Sequence, residues 1–285
     1  MSNGSTTKSD PEILEFDDLS PYLFLKNGNY LYKVPYRDGW AILKVYYGSK
    51  TIFETLQKSF GNVVLQGQTS YMPKTRCHIE RSCMELWAKH GFPTFEIYDV
   101  EVRAPGCVPG GYLLMEYVEA PELLDFLVDD SVSLDARFEV YRKWLPEWSR
   151  RHDLAIELRE PLLVHENGDG GHVMLRDGQF IWFDFEMVYR SRSAVPMHVA
   201  HELAQYTWHV YKSIPEPMRA RFLKETVEGY PNRERLLSAY DYFHKHPNLF
   251  LRAARALDRR FGKKAKKPTS KYSVTAKLKE QVEQA

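Results

Sequence analysis

The chain has 285 residues, 44% hydrophobic and 27% charged, with a formal net charge of +1. That is the composition of a soluble globular protein of one or two domains, long enough to bury a core without disulfides. The balance of charge gives no overall field for a specific nucleic acid, and no apolar run reaches the roughly 18–20 residues that span a bilayer.

The polar residues 1–15 lack the apolar stretch of a signal peptide and read as a disordered arm. Runs at 21–26, 30–35 and 40–47 pattern as short strands, broken at Asn27-Gly28-Asn29 and at Arg37-Asp38-Gly39. An Asp-Gly pair between β-rich runs is a hairpin signal. Residues 48–74 read as an insertion with one short helix near 51–59. Ile79, Cys83, Leu86 and Trp87 recur at helical spacing, which predicts an amphipathic helix over 75–90 that Gly91 and Pro93 stop.

Strands are expected at about 95–103 and 111–117. Ser133 then caps a helix whose Leu134, Phe138, Tyr141, Leu145 and Trp148 form one stripe, and which Pro146 should bend or restart. Short strand-like pieces fill 162–186, and helices follow at about 198–212, 216–228, 232–245 and 248–260. The order is a β-rich N-lobe (16–119), a mainly helical C-lobe (120–262) and a basic tail (263–285), which makes a two-lobed α+β fold.

Two charges stand inside apolar β-type runs, Lys44 in Ile42-Leu43-Lys44-Val45 and Asp184 in Trp182-Phe183-Asp184-Phe185. A buried charge is costly without a partner or a ligand. A strand lysine and an aspartate about 140 residues later make the skeleton of a kinase-type site, the lysine on the α/β-phosphates of ATP and the aspartate on Mg²⁺. Glu80 on the intervening helix is the anion expected beside Lys44, with Glu85 its competitor. The apolar strand ending in Met115-Glu116-Tyr117-Val118-Glu119 has the form of a hinge that offers backbone groups to an adenine edge.

A last constellation is His165-Glu166-Asn167-Gly168-Asp169-Gly170-Gly171-His172, followed twelve residues later by Asp184-Phe185-Glu186. With these motifs in this order, residues 22–212 resemble the protein-kinase-like superfamily. Within it they are similar to bacterial small-molecule kinases, the lipopolysaccharide (Kdo/heptose, InaA-type) kinases and the aminoglycoside/choline kinases. The long insertion ending in Glu80 and Gly91-Phe92-Pro93, and the acid at Glu186, look most like the lipopolysaccharide branch. The resemblance implies ATP and Mg²⁺ (or Mn²⁺) in a cleft between the lobes. Lys44, Glu80, Gly28, Glu116 and Val118 would be on the nucleotide side, and Asp184 and His172 on the metal. His165, Asn167 and Asp169 would form the catalytic loop, with His165 supporting it by hydrogen bonding.

The loop departs from the family pattern of His-x-Asp with an Asn five residues on. Asn167 stands at the Asp position and His172 at the Asn position. An amide is no base, and imidazole suits Mg²⁺ poorly. Two readings follow. In one the chain is an active kinase on a hydroxyl of a small-molecule or glycolipid acceptor, in the manner of lipopolysaccharide core modification, with Asp169 as base or substrate clamp. In the other it is a pseudokinase that binds nucleotide or a protein partner.

Cys77, His78, Cys83 and His90 fit no zinc spacing, and three cysteines without framework spacing point to free thiols in a reducing compartment, hence a cytoplasmic location. Residues 259–267 hold six basic side chains in nine, a run able to meet phosphates or an anionic membrane at the inner face. The plainer reading of that run is a solvated helix end leading to a disordered tail.

Overall fold

The computed structural model describes residues 12–47 and 68–285. The helix expected near 51–59 lies outside the described residues.

The N-lobe is built on a five-stranded antiparallel sheet in the order β2-β3-β4-β7-β5. Its strands are β2 (Leu23–Lys26), β3 (Asn29–Tyr36), β4 (Gly39–Tyr46), β5 (Ile97–Tyr98) and β7 (Tyr112–Glu116). Strand β4 lies between β3 and β7, with Lys44 opposite Leu31 on one side and Leu113 on the other. Side chains alternate across a strand. Ala41, Leu43 and Val45 therefore enter one small core with Val34, Val102 and Leu114, while Ile42, Lys44 and Tyr46 face the other way. The apolar run around Lys44 is thus the signature of a strand covered on both faces.

Two sequence expectations change here. The last residues of the supposed arm, Glu12–Glu15, form strand β1, which pairs in parallel with β6 (Val100–Arg103). The single strand expected over 95–103 is two, because β5 pairs with β7 while β6, beyond Asp99, pairs with β1.

Helix α1 (Pro73–Lys89) starts on a proline and ends before Gly91, whose φ of +74° suits glycine. It buries Arg76, Glu80, Cys83, Met84 and Trp87. Trp87 reaches across to the C-lobe: its indole Nε1 donates to Leu162 O at 2.7 Å, and its ring lies 4.5 Å from Phe185 and 5.8 Å from Trp182.

The C-lobe comprises α2 (Leu123–Val128), α3 (Leu134–Leu158), the hairpin β8 (Val173–Arg176) and β9 (Gln179–Trp182), and then α4 (Val195–Ser213), α5 (Arg219–Gly229), α6 (Arg233–His244), α7 (Leu249–Phe261) and α8 (Lys271–Gln284). Helix α3 runs unbroken through Pro146. The hydrogen bond lost at a mid-helix proline is offset by packing, since Tyr141, Trp144, Leu145 and Trp148 around it are all buried.

The end of the supposed basic tail is also a correction. Residues 271–284 form a packed helix whose Tyr272, Val274, Leu278 and Val282 are buried in the C-lobe core. Truncating a fully buried leucine there leaves a cavity. Leu278→Ala is expected to lower the unfolding free energy by about 2–5 kcal/mol in urea denaturation; an unchanged midpoint would show that α8 is not part of the core.

Candidate functional site

Lys44 is 6% exposed, and its ammonium is surrounded by carboxylates from both lobes. Its Nζ lies 2.8 Å from Glu80 Oε2, 3.2 Å from Asp184 Oδ1 and 2.8 Å from Glu186 Oε1. Glu85, the competitor of Glu80, is exposed on the far side of α1 and pairs with Arg81. Tyr46, one step along the same face of β4, donates its hydroxyl to Glu80. Burial works against the lysine charge, yet the Glu80, Glu186 and Asp184 carboxylates outweigh it and hold Lys44 protonated well above its ordinary range. Burial also acts on Asp184, but the charges of Lys44 and His172 hold its carboxyl below the usual carboxylate range.

Glu186 is the member of this group that sequence reasoning left out of the site. Its Oε2 accepts from Arg76 Nη1 at 2.7 Å, and Asn29 Nδ2 donates to its Oε1. Arg76 also donates to Asn29 Oδ1 at 2.9 Å and to Tyr47 O at 2.7 Å. Arg76 precedes Glu80 by one helical turn, so both point from one face of α1 into the same cluster. The signal available in the sequence was the second acid in Asp184-Phe185-Glu186.

Among the described residues, Glu80, Asp184 and Glu186 can present carboxylate oxygens within 4.8 Å of one another. A cluster of hard oxygen donors fits Mg²⁺ or Mn²⁺. All three carboxylates also face Lys44, but the side chain of Glu80 is almost fully buried while those of Asp184 and Glu186 are partly open, so Asp184 and Glu186 are the pair that would hold the ion. His172 lies outside this group, with its Nε2 3.7 Å from Asp184 Oδ2 and its Nδ1 2.8 Å from Asn167 O. The sequence expected His172 with Asp184 on the metal; His172 does lie beside Asp184, and the oxygen cluster adds Glu186, which that expectation did not include.

Lys44 and Glu80 close one end of a cavity of about 320 Å³. Phe24, Leu25 and Leu31 of the β2–β3 hairpin lie above it, Ile42 and Met115 line its wall, and Met174 and Phe183 form its floor. Glu116, Tyr117, Val118 and Glu119 form its edge where the chain leaves β7. The Glu116 side chain is committed elsewhere, with Oε2 bound by Arg176 at 2.6 Å and Oε1 by the Glu96 N–H at 3.0 Å. Its offer to a ligand is therefore backbone. Gly28 stands at the hairpin tip with φ +72° and does not line the cavity.

The loop residues divide by role. His165 is buried: its Nδ1 meets Tyr206 Oη at 2.9 Å and its Nε2 meets Asp184 O at 3.2 Å. It holds the Asp184 backbone, which has a left-handed φ of +72°, a strained conformation for an aspartate. Asn167 is exposed. Asp169 caps a short turn by accepting from Gly171 N at 2.7 Å, and its other oxygen pairs with His209 Nδ1 at 3.0 Å. Burial pushes Asp169 up, but the His209 hydrogen bond, the His172 charge and the Gly171 N–H together outweigh it and hold the carboxyl below its ordinary range. Glu166 is half-buried against Gln68, and burial raises it to about 7.

The whole loop rests on Glu202 of α4, which is fully buried. Its carboxylate binds Arg151 with both oxygens, Trp148 Nε1 at 2.8 Å and the backbone N–H of His165 at 2.8 Å. A lone buried glutamate in a helix carries no sequence signal of this kind, and it was missed.

No protein-family model matches this sequence, and no curated protein matches it. Solved structures similar in shape include an amicoumacin kinase with AMP-PNP, Ca²⁺ and Ami, at 15% identity over 92% of this chain and 87% of that one, with a TM-score of 0.41. A Rio2 kinase–ADP/Mg²⁺–phosphoaspartate complex from Chaetomium thermophilum is 14% identical over 92% of this chain and 70% of that one, with a TM-score of 0.39. A putative aminoglycoside phosphotransferase from Ralstonia eutropha is 12% identical over 92% of both chains, with a TM-score of 0.38. Identities and scores this low assign no function. What the structure itself shows is a two-lobed α+β fold in which a strand lysine, a helix glutamate and an aspartate beyond β9 meet between the lobes.

Two expectations follow from the buried groups. Glu202→Gln leaves Arg151 as an uncompensated buried charge and should lower the unfolding free energy by about 3–5 kcal/mol in chemical denaturation; a loss within experimental error refutes the anchoring role. His152 and His165 are lowered by burial to about 4 in the folded state. The unfolded chain then takes up protons first as pH falls, so the stability these residues contribute is complete above about pH 6.5 and is lost between about 6.5 and 4. Urea midpoints measured across that window should fall steadily, and a flat profile is the contrary result.

Proposed function

We propose that this chain is an ATP- and divalent-metal-dependent phosphotransferase acting on a hydroxyl of a small-molecule or glycolipid acceptor. The observation that carries this reading is the convergence of Lys44, Asp184 and Glu186 at the closed end of a largely apolar slot edged by hinge backbone. Adenine fits between Ile42, Met115 and Met174, with the backbone near Val118 for its polar edge. Lys44, oriented by Glu80, meets the α/β-phosphates. Asp184 and Glu186 hold Mg²⁺ or Mn²⁺, which neutralises charge on the phosphates.

The loop has no carboxylate at the position of the usual base. Phosphoryl transfer through a loose transition state depends mainly on positioning and charge, so this lowers the rate without removing the reaction. In this reading Asn167 orients the acceptor hydroxyl through its exposed amide, Asp169 with His209 clamps the loop, and His165 and His172 hold Asp184 from either side. The likeness to the lipopolysaccharide branch favours a sugar or glycolipid hydroxyl.

The second reading, a pseudokinase that binds nucleotide without transfer, is favoured by one observation. Both oxygens of Asp169, the loop carboxylate expected to stand in for the base, are already engaged.

Thermal denaturation with ATP and Mg²⁺ or Mn²⁺ tests the shared part. The midpoint should rise several degrees in the parent protein and not in Lys44→Ala or Asp184→Ala. No rise in the parent ends the nucleotide reading. Turnover on sugar or glycolipid acceptors should fall at least about 100-fold in Glu186→Gln, as for loss of a charge-stabilising group. A rise in midpoint with no turnover on any acceptor selects the pseudokinase.

A further inference from the structure

Helix α7 (Leu249–Phe261) is oriented opposite to an ordinary surface helix. Amphipathic helices of globular proteins turn the apolar stripe to the core and the charges to water. Here Phe250, Ala254, Leu257 and Phe261 recur at i, i+4, i+7 and i+11 on one face, and that face looks outward. Phe250 is 80% exposed, Leu257 59% and Phe261 66%, with Leu249 at 66% beside them.

The opposite, polar face is attached to the body of the C-lobe. Arg259 Nη1 donates to Phe243 O at 3.0 Å, and Arg255 Nη1 donates to Tyr242 O. Tyr272 Oη of α8 donates to Asp258 Oδ2 at 2.8 Å. At the N-terminus, Asn248 accepts from the Phe250 and Leu251 N–H groups at 3.0 and 3.2 Å. The helix is thus capped and bonded in place with its apolar stripe outward, which makes the stripe a built surface.

Charge identifies the occupant. Residues 249–267 contain eight basic side chains and one acidic. Arg252, Arg260, Lys263, Lys264, Lys266 and Lys267 are exposed around or directly beyond the stripe. Pairing this face with a second copy would bring two such basic segments together at close range, which like-charge repulsion opposes. A bilayer rich in anionic phospholipid complements both features, offering acyl chains to the aromatic stripe and headgroup phosphates to the lysines.

We propose that α7 and the lysine run to Lys267 form an interfacial anchor that lies in the plane of an anionic membrane surface without crossing it. No helix among the described residues is long and apolar enough to span a membrane, so the association is peripheral. The basic run read from sequence is half of the device; the outward apolar stripe is the other half.

Co-sedimentation of the full chain with vesicles of phosphatidylcholine alone, or of phosphatidylcholine containing phosphatidylglycerol, tests the proposal. Binding is expected to the anionic vesicles, weak to the neutral ones, and falling as salt rises. Phe250→Asp with Phe261→Asp should weaken binding at least about tenfold, and so should Lys→Gln at 263, 264, 266 and 267 together. Far-UV circular dichroism and the thermal midpoint of both variants should match the parent. The midpoint rise with ATP should also persist, so failure at the vesicles and failure of the nucleotide site are separate results. The proposal is overturned if the parent sediments with neither vesicle, or if the aspartate variant binds like the parent. It is equally overturned if light scattering shows a parent dimer that Phe250→Asp dissociates while no vesicle binding occurs, since the face would then be a contact between copies.

Discussion

One ammonium joins the two lobes of this protein. Lys44 comes from a central strand of the N-lobe sheet, and its partners come from α1 and from the segment after β9. A buried lysine without partners would lose its proton or its place. Three carboxylates prevent both, and they do so only if α1 and the Asp184–Glu186 segment are held against β4. Arg76 supplies a second cation on Glu186. Two cations against three carboxylates leave one negative charge in excess, at the closed end of an apolar slot. That excess is what a divalent cation bound with nucleotide phosphates would answer.

The loop beneath that cluster is placed by a second buried pair. Glu202 accepts the His165 N–H and binds Arg151, which in turn donates to Leu163 O at 2.6 Å. His165 then grips the carbonyl of Asp184 and keeps it in a left-handed conformation. Strain at Asp184 is sustained by a chain of hydrogen bonds that runs from α3 and α4 to the site. This scaffold uses backbone groups, His165 and Glu202, and not the side chain of Asn167 or His172. Architecture and loop chemistry are therefore separable in this molecule.

Much of the arrangement was legible in the residues themselves. A charge inside an apolar run requires a partner, and so Lys44 and Asp184 stood out, with Glu80 on the intervening helix as the anion expected beside Lys44, although β9 ends at Trp182 and Asp184 lies just beyond it. Helical periodicity placed α1 and α4 to α7 to within a few residues. Other parts were hidden for physical reasons. Asn29, Arg76, Glu186 and Glu202 are polar residues whose burial depends on contacts across 47 or more positions for most of their partners, and no local pattern marks that. Helix α8 carries Tyr272, Val274, Leu278 and Val282 at helical spacing, but the lysine run before it made the whole segment read as tail. Pro146 does not restart the helix, because four buried aromatic and aliphatic neighbours hold it continuous from Leu134 to Leu158.

What the sequence alone determined was the order of elements, the two-lobed division and the pair of charges that had to meet. These follow from local periodicity and from the cost of burying an unpaired charge, both of which are written in neighbouring residues. What only the tertiary structure decided was that Glu186 joins the carboxylates at Lys44, which ring holds Asp184, and which face of α7 looks outward. The helical pattern of α7 is the same whether its stripe faces core or solvent. The choice was made by Arg255, Asp258 and Arg259 finding partners on α6 and α8, residues that are close only after the chain has folded.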